Sequence, residues 1–271
     1  MIGAVIGDIV GSRFEWNNHR SKKFDFYHKD CFATDDSIMT ISIAKALLES
    51  KKDFSDLGTN CVRCMREIGV HYPDCGYGLS FFNFIFGDNP RPYNSWGNGA
   101  AMRVSAVPYV ASSLEEAKKL SRAVTEVTHN HPEGLKGAEA AAVCGFLALQ
   151  GKNITEIRKY VEDNYYNLDF TIDGIRASYK FNESCQDTVP QAIEAFLESA
   201  SFEDAIRTAI SVGGDSDTLA AITGGIAEAY YGVSLTLREG AKSYLDERLL
   251  PILEAFEAKY PPKIEAGERN S

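Results

Sequence analysis

Two short acidic segments stand directly before apolar helical patterns. Thr34-Asp35-Asp36-Ser37 precedes a pattern that starts near Ile38, and Asp215-Ser216-Asp217-Thr218 follows Gly213-Gly214 and precedes a pattern from Leu219. Aspartate, serine and threonine are preferred N-caps, and acids are favoured in a first turn, so capping alone explains either segment. A cap uses one oxygen, however, whereas each segment offers two carboxylates with flanking hydroxyls. If the segments meet in space, the converging carboxylates need cations to stay ionised, and Mg²⁺ prefers such oxygen ligands.

Three further segments carry groups that suit binding or acid–base chemistry. The segment from Gly7 to Glu15 ends in a carboxylate. Asn94–Arg103 contains a glycine-rich turn whose backbone amides can cradle phosphate, and its Trp96 can stack on a base or a sugar. No strand precedes this turn and no Walker A sequence is present, so the usual nucleotide fingerprints are missing. The segment 128–132 contains two histidines, and a lone histidine is more often a cap or a packing residue than a reactive group.

The cysteines offer a weaker alternative metal site. Cys61 and Cys64, followed by His71 and Cys75, have a spacing that zinc ligands can adopt. The pair lacks the second Cys-x-x-Cys that makes such motifs specific, and it lies in a helical pattern with Met65. Buried thiols act there as small apolar groups, so the pattern favours core packing. Six scattered cysteines in a chain of this length do not indicate a disulfide scaffold.

Length and charge narrow the class of protein. The chain has 271 residues, 44% of them hydrophobic and 24% charged, which is typical of a globular protein with a sizeable core. The net charge of −10 argues against a basic surface for nucleic acid or anionic membranes. An acidic protein can still bind a nucleotide, because metal ions supply local positive charge. Asp8 interrupts the apolar N-terminal stretch, so we expect no signal peptide and no membrane span, but a soluble cytoplasmic protein.

Helical periodicity runs through most of the chain, and alternating strands with hairpin turns are missing. Gly3, Gly7 and Gly11 recur every four residues, so the first segment is predicted to be a tightly packed helix. Another helix is predicted around Leu120 and Val124. The remaining predicted helices cover 38–50, 138–149, 154–161, 189–197, 202–210, 219–231 and 249–256.

The longest interval without such a pattern is Tyr72–Trp96, which is rich in glycine, proline, asparagine and aromatic residues. Intervals of this length inside a compact domain are usually functional, so we predict a functional loop here. The simplest organisation is one all-α domain over residues 1–260. The polar residues 261–271 are expected to form a frayed tail.

Taken together, these segments resemble the ADP-ribosylglycohydrolase family, which includes the dinitrogenase reductase-activating glycohydrolases and the animal ADP-ribosylhydrolases. The resemblance runs from Ile2 to about Gly232 and rests on six motifs in order: Gly-Asp…Gly…Glu, Thr-Asp-Asp, Gly-Tyr-Gly, Asn-Ser-aromatic-Gly-Asn-Gly-x-x-Met-Arg, Thr-His-x-His-Pro and Gly-Gly-Asp-x-Asp-Thr. It implies a compact, orthogonally packed, all-α bundle with a two-magnesium centre in a cleft, where Mn²⁺ can substitute.

The resemblance also implies roles for individual residues. Glu15, Asp35, Asp36 and Asp217 would be catalytic, with Glu15 as the best candidate for the acid–base role and one of the metal-bound aspartates as the alternative. The expected metal ligands are Thr34, Asp35, Asp36, Asp215, Asp217 and Thr218. The expected substrate-binding residues are Gly76, Tyr77 and Gly78 at the distal ribose, Asn94, Ser95, Trp96, Gly97, Asn98 and Gly99 at the diphosphate, and His131 near the adenosine.

The implied activity is Mg²⁺-dependent hydrolysis of the C1″ glycosidic bond between ADP-ribose and a target, which is a protein side chain, a nucleobase or a small molecule. A monomer is expected, with nucleic acid as a partner only if a modified nucleobase is the substrate. One alternative is a non-catalytic ADP-ribose-binding protein of the same fold. Another is an aspartate-based phosphohydrolase, because the segment at Asp215 is similar to the signature of aspartyl-phosphate phosphatases, which those enzymes place after a buried strand.

Overall fold

The computed structural model describes residues 1–265 of the chain, and within them it is helical throughout. These residues form fourteen α-helices and one 3₁₀ turn, Asn98–Ala100, and no β-strand. The helices are α1 (Ile2–Ser12), α2 (Asp35–Glu49), α3 (Leu57–Gly69), α4 (Leu79–Phe86), α5 (Val107–Val110), α6 (Leu114–Thr125), α7 (Pro132–Leu149), α8 (Ile154–Asn164), α9 (Ile172–Ile175), α10 (Cys185–Leu197), α11 (Phe202–Val212), α12 (Ser216–Tyr231), α13 (Leu235–Lys242) and α14 (Leu250–Lys259). The predicted all-α class is confirmed.

Helices α1 and α12 form the centre of the molecule. Every residue of α1 is buried, and α12 is buried from Ser216 to Ala229. The two backbones meet at the predicted glycine stripe: a Cβ added to Gly7 would lie 2.0 Å from the Ala220 carbonyl oxygen, and one added to Gly11 would lie 2.5 Å from the Asp217 Cα. Only glycine allows so close an approach, so this stripe determines how near α1 lies to the start of α12.

Other helices pack around this pair. Helices α7, α10 and α11 lie against α12, and α2 lies against α1 and α3. The core that they enclose includes Cys61 and Cys64, whose side chains are fully buried, as the packing interpretation predicts. None of the helices within residues 1–265 combines the length and the apolar character that a membrane span requires.

The helices predicted from periodicity are present, most of them longer than predicted. The exception lies in Tyr72–Trp96, where the prediction of a continuous loop is wrong, because α4 (Leu79–Phe86) forms inside it. This segment is almost entirely apolar and buries Phe81, Phe84 and Ile85. The turn residues on either side dominated the sequence pattern, whereas tertiary burial stabilises the helix.

The beginning of the predicted tail contacts the rest of the protein. Ile264 forms an isolated bridge with Val233, and the Val233 amide donates to the Lys263 carbonyl at 3.2 Å. The remaining tail residues, 266–271, lie outside the described part of the chain.

Candidate active site

The two acidic segments do meet in space. They form the first turns of α2 and α12, and the Thr218 hydroxyl of α12 donates to Asp36 Oδ2 of α2 at 3.2 Å. Carboxylate oxygens of Asp36 and Asp217 lie within 4.8 Å of each other. The central spatial prediction, that two aspartate pairs far apart in sequence share one site, is therefore confirmed.

Asp8 of α1 completes this cluster, although the sequence did not indicate it as a site residue. One of its oxygens accepts from the Thr34 and Ser37 amides, each at 3.0 Å, and the other accepts from the Thr34 hydroxyl at 2.6 Å. The carboxylate thus binds the N-terminus of α2, where the helix dipole favours negative charge. The signal was visible in the Gly7-Asp8 pair of the opening motif, but a single buried acid in an apolar helix is hard to assign from sequence.

The wall formed by these groups is defined here as the acidic wall: Asp8, Glu15, Asp35, Asp36, Asp215, Asp217 and Thr218. Burial raises the pKa of Asp35 to about 8, with the negative charges of Asp8 and Asp215 adding to the effect. Burial also raises the pKa of Asp8 to about 6, and it raises those of Asp36 and Asp217 well above the ordinary aspartate value. So many buried carboxyls cannot all be ionised without cations nearby.

The oxygen atoms of this wall fit a divalent cation. Two groups of three carboxylates each bring ligand atoms within 4.8 Å of one another, Asp8 with Asp36 and Asp217, and Glu15 with Asp215 and Asp217. Oδ1 of Asp36 and Oδ1 of Asp217 are buried and have no hydrogen-bond partner. Buried oxygens without a donor are what a bound hard cation would satisfy.

Thr34 differs from the other predicted metal ligands. Its hydroxyl already donates to Asp8, and it accepts from the Asp36 amide at 3.2 Å as the N-cap of α2. The capping interpretation therefore describes this residue in the structure. The remaining predicted ligands all line one cleft of the protein: Asp35, Asp36, Asp215, Asp217 and Thr218.

Glu15 also lines the cleft, and its loop is fixed to the start of α12. The side-chain NH₂ group of Asn18 donates to the Gly214 carbonyl at 2.9 Å, and the backbone N–H of Gly214 donates to Asn18 Oδ1 at 2.7 Å. Gly214 has a φ of 73°, a conformation that favours glycine. Asn18, which the sequence analysis did not single out, thus connects Glu15 to the Gly213-Gly214 turn.

Another part of the cleft lining is formed by the glycine-rich segment. The glycine-turn wall is defined here as Ser95–Gly99 together with Arg103 and His129. Asn98 connects the two walls, because its side-chain amide donates to Asp215 Oδ2 at 2.6 Å. The cleft between the walls has a volume of about 310 Å³ and opens into a shallower groove of about 450 Å³. Asn94 and Trp96 line this groove, and Trp96 is 51% exposed.

The phosphate cradle predicted from the backbone amides is only partly available. The Gly97 amide donates to the Ser95 hydroxyl at 3.1 Å, and the Asn98 amide donates to the Glu183 carbonyl at 2.7 Å. Both donors are thus already used within the protein. Glu183 itself lines the cleft and the groove, and the sequence analysis did not detect it, since no motif marks it.

The two histidines of segment 128–132 have different positions. His131 is the N-cap of α7 and accepts from the Glu133 amide at 3.1 Å, while its ring lies 5.3 Å from the Trp96 ring. His131 therefore caps α7 and also lies beside Trp96. His129, which was part of the quoted motif but was not proposed as a site residue, is buried and lines the cleft.

The Gly76-Tyr77-Gly78 segment reaches the cleft through its glycines. Gly76 and Gly78 line it, and a Cβ added to Gly76 would lie 2.8 Å from the Asp35 carboxylate. The Tyr77 side chain is instead directed into the protein, where its hydroxyl donates to the Gly69 carbonyl at 3.2 Å and its ring packs edge-on against Phe81. The structure does not bring the Tyr77 side chain to the cleft, because the aromatic packing of α4 holds it.

The context that the phosphohydrolase alternative requires is missing in residues 1–265. The segment before Asp215 is helix α11 followed by the Gly213-Gly214 turn, and no buried strand leads into it. Chemically, the cleft combines an acidic wall that fits cations with a glycine-turn wall that carries the cationic Arg103 and the neutral His129. A ligand with hydroxyl groups at one end and an anionic centre matches this arrangement.

Comparisons with known proteins agree with this description. The family model described as ADP-ribosylglycohydrolase matches residues 1–260. The chain is 26% identical to the ADP-ribosylhydrolase ARH3 of Homo sapiens, over 86% of this chain and 84% of that protein. It is also 26% identical to the ADP-ribosylarginine hydrolase Tri1 of Pseudomonas putida, over 86% of this chain and 70% of that protein.

A solved structure described as an ADP-ribosylglycohydrolase-related protein complex has the same fold. The two chains superpose with a TM-score of 0.67 at 23% sequence identity, and 95% of each chain is covered. The predicted fold type is confirmed by this similarity.

Proposed function

Because this chain belongs to the ADP-ribosylglycohydrolase family, a family of glycosidic-bond hydrolases, we propose that it is a Mg²⁺-dependent ADP-ribosylhydrolase that cleaves the C1″ bond between ADP-ribose and its attachment. The observation that carries this proposal is the convergence of Asp35 and Asp36 with Asp215 and Asp217 in one cleft. The expected monomeric state and cytoplasmic location remain predictions.

The proposed metal ligands are Asp35, Asp36, Asp215, Asp217 and Thr218, with two cations shared among them. When bound, these cations would supply Lewis-acid polarisation of substrate oxygens. The unpartnered Oδ1 atoms of Asp36 and Asp217 support this assignment. Asp8 acts indirectly: it holds the N-terminus of α2, so that the carboxylates in the first turn of α2 face the cleft. Thr34 contributes through that contact.

Glu15 is proposed as the acid–base residue. Its carboxyl is half-buried, and burial raises its pKa to about 7, with the charges of Asp215 and Asp8 adding to the effect. A carboxyl with that pKa is partly protonated at neutral pH, so it can pass a proton to the leaving group as the C1″ bond breaks. The neighbouring aspartates would stabilise the positive charge that develops on the sugar in an oxocarbenium-like transition state.

The glycine-turn wall is proposed to bind the diphosphate and the adenosine. Ser95–Gly99 forms the wall of the cleft that continues into the open groove, and Trp96 lies in that groove beside His131. Stacking of a base on Trp96 would place the adenosine there. The distal ribose would then lie between Gly76, Gly78 and the acidic wall.

One panel tests the proposal. ADP-ribose linked through arginine, serine or a nucleobase is incubated with the protein in Mg²⁺ and in chelator, and release of ADP-ribose is measured. We expect turnover of at least one substrate, lost on chelation and restored by Mg²⁺ or Mn²⁺. The name of the Pseudomonas putida relative makes the arginine linkage the first to examine. No turnover of any linkage in Mg²⁺ would contradict the proposal.

Calorimetry with ADP-ribose, carried out alongside the turnover assay, separates the hydrolase from a non-catalytic binder of the same fold. Both would bind ADP-ribose, but only the hydrolase also turns over a linked substrate. A binder would be expected to have lost acidic ligands. Here every proposed carboxylate is present and directed at the cleft.

A further inference from the structure

A guanidinium at the surface joins three segments that are far apart in sequence. Nη1 of Arg20 donates to the Val212 carbonyl at 2.7 Å and to the Arg176 carbonyl, and Nη2 donates to the Tyr179 carbonyl at 2.6 Å. The guanidinium also covers the turn after α11, because a Cβ added to Gly213 would lie 3.0 Å from its Cζ. All of these acceptors are backbone carbonyls, so the contacts do not form a salt bridge.

Two of the acceptors lie at the ends of helices. Val212 is the last residue of α11, and Arg176 is the C-cap of α9. The last carbonyls of a helix have no partner within it, and the helix dipole favours a positive side chain beside them. A guanidinium can bind several carbonyls at once, because its N–H groups form a rigid planar fork. Arg20 is therefore suited to hold chain segments together.

Each of the three segments carries one carboxylate of the cleft. Glu15 lies in the same loop as Arg20, which we call the Glu15 loop (residues 13–20). Asp215 follows the end of α11, and Glu183 ends the segment 176–183; all three carboxylates line the cleft. Burial raises the pKa of Glu15 to about 7 and also raises that of Glu183, and the charge of Asp215 is the next cause in both. The carboxylates are thus close enough to repel one another, and contacts that join their segments oppose this repulsion.

The same three segments also contact one another in pairs. Asn18 of the Glu15 loop exchanges two hydrogen bonds with Gly214. A Cβ added to Gly214 would lie 2.5 Å from Cε1 of Tyr179, so the tyrosine ring packs on this turn. The Trp16 and Phe181 rings stack at 5.0 Å, but Trp16 is still 78% exposed, so this stack alone is a weak attachment. The guanidinium is the group that reaches all three segments.

We propose that Arg20 is a positioning residue: its guanidinium joins the Glu15 loop, the turn before Asp215 and the segment 176–183, and thereby holds the Glu15 carboxyl where it can transfer a proton. This inference rests on the proposed function for the role of Glu15. Arg20 acts only through the backbone that it binds. Without the guanidinium the Glu15 loop should move, and a displacement of about 1 Å can cost about 100-fold in rate.

The test uses three variants of the full-length protein. Arg20→Gln removes both the charge and the fork, whereas Arg20→Lys keeps the charge alone. Arg66→Gln is the matched control, because the Arg66 guanidinium also binds backbone at a helix end, donating to the Ile85 carbonyl at 3.1 Å and to the Gly87 carbonyl at 2.6 Å. It joins α3 to the end of α4, and neither helix carries a carboxylate of the acidic wall.

Three measurements are compared across these variants. Hydrogen–deuterium exchange of the metal-free protein, read by mass spectrometry, reports the opening of residues 13–20, 176–183 and 213–215. Steady-state kinetics on the best substrate of the linkage panel gives kcat and KM separately. Thermal melts report the loss of stability, so that an effect on rate is distinguished from partial unfolding.

We expect Arg20→Gln to exchange faster in all three segments, with kcat lowered roughly tenfold or more and KM within about threefold of wild type. Arg20→Lys should behave similarly, because an ammonium lacks the fork that reaches separate carbonyls. Arg66→Gln should lose about as much stability as Arg20→Gln. Its faster exchange should be confined to the ends of α3 and α4, and its kcat should stay within about twofold of wild type.

Several results would overturn the inference. Unchanged exchange in residues 13–20 or wild-type kcat in Arg20→Gln would show that the guanidinium does not hold the loop. Wild-type kcat in Arg20→Lys would assign the effect to charge, and an equal loss in Arg66→Gln would assign it to stability. Failure of the proposed function has a different signature: the wild-type protein would turn over no linkage, while exchange would still report whether Arg20 joins the three segments.

Discussion

The two walls of the cleft contain unsatisfied groups of opposite kinds. In the acidic wall, burial and then the charges of neighbouring carboxylates raise the pKa values of Asp36 and Asp217, and one oxygen of each has no donor. In the glycine-turn wall the Gly97 and Asn98 amides are satisfied internally, whereas Arg103 Nε has no partner among the described residues. The carboxyls of the acidic wall therefore destabilise the protein unless cations bind to them. The glycine-turn wall is largely satisfied by its internal hydrogen bonds and suits an anion.

Because of this difference, substitutions on the two walls should have different effects. Changes to the acidic wall should alter the rate and the response to metal, and some should stabilise the metal-free protein. Changes to the glycine-turn wall and its groove should alter substrate binding and leave the rate nearly constant. The predictions below test this division.

The largest expected effect comes from Asp217→Asn. Its carboxylate belongs to both groups of converging ligands, so its loss should lower kcat by about three powers of ten. The same change removes a buried carboxyl whose pKa is raised mainly by burial, so the metal-free protein should melt at a higher temperature. Turnover assays and thermal melts measure the two effects. The exposed Asp169→Asn serves as the control, and a variant that is both active and less stable would contradict the division.

Asp8→Asn should act on metal binding through the N-terminus of α2. Asparagine keeps an acceptor for the Thr34 and Ser37 amides, but its NH₂ group then faces the Thr34 hydroxyl and the negative charge is lost. A supporting residue of this kind typically changes metal affinity by about 10- to 100-fold. Calorimetry with Mg²⁺ measures the change. A loss far beyond that range would identify Asp8 as a direct ligand instead.

The acidic wall also predicts how stability depends on pH. The pKa of Asp35 rises from 3.8 to about 8 in the folded protein, and that of Glu15 from 4.5 to about 7, mainly through burial. Between the unfolded and folded values the folded state binds more protons, so the stability of the metal-free protein should fall as pH rises from about 4 to 8. Mg²⁺ binds the deprotonated forms, so its stabilising effect should grow over the same interval.

Thermal melts in chelator and in Mg²⁺ across this interval check the prediction. The Asp35→Asn variant should show a flatter dependence in chelator, because one of the titrating groups is removed. If the metal-free protein becomes more stable between pH 5 and 8, the charge of these carboxyls is neutralised by a group of the protein and not by a metal ion.

Gly7→Ala tests the contact that brings the acidic wall together. The added methyl group would lie 2.0 Å from the Ala220 carbonyl oxygen, so α1 and α12 must separate. Overpacking of this kind costs about 1–3 kcal/mol, and the upper part of that range is expected against rigid backbone. Urea unfolding measures the loss. Gly58→Ala is the matched control, because its methyl group would meet only ordinary contacts at 3.6 Å and alanine favours the helix.

Most of the acidic wall was predictable from sequence, and most of its support was not. The Thr-Asp-Asp and Gly-Gly-Asp-x-Asp-Thr motifs identify Asp35, Asp36 and Asp217, because acids at a helix start combine capping with ligand chemistry. Whether the two starts meet depends on the α1–α12 packing, which the recurrence of glycines indicated only as close helix packing. Asp8 and Asn18 act through backbone groups distant in sequence, so the Gly7-Asp8 pair of the opening motif did not by itself show what Asp8 contacts.

The glycine-turn wall was less predictable for a different physical reason. A glycine-rich segment predicts free amides, but a local contact with the Ser95 hydroxyl and a tertiary contact with the Glu183 carbonyl use two of them. The two histidines show a similar limit, because His129 and His131 are equivalent in the motif and only the fold directs His129 into the cleft and His131 to a position beside Trp96. Tyr77 was placed at the ribose by resemblance, whereas the burial of α4 turns its side chain away.

The smallest expected effect belongs to Trp96 at the open end of the groove. A base stacked on an aromatic side chain contributes about 1–3 kcal/mol, and a ring that is 51% exposed should contribute near the lower limit. Trp96→Ala should therefore raise KM about fivefold and leave kcat within about twofold, whereas Trp96→Phe should keep most of the affinity. Steady-state kinetics on the best substrate of the linkage panel measures both constants. A fall in kcat at constant KM would mean that the groove takes part in the chemical step, because a residue that only binds the distant adenosine stabilises ground state and transition state equally.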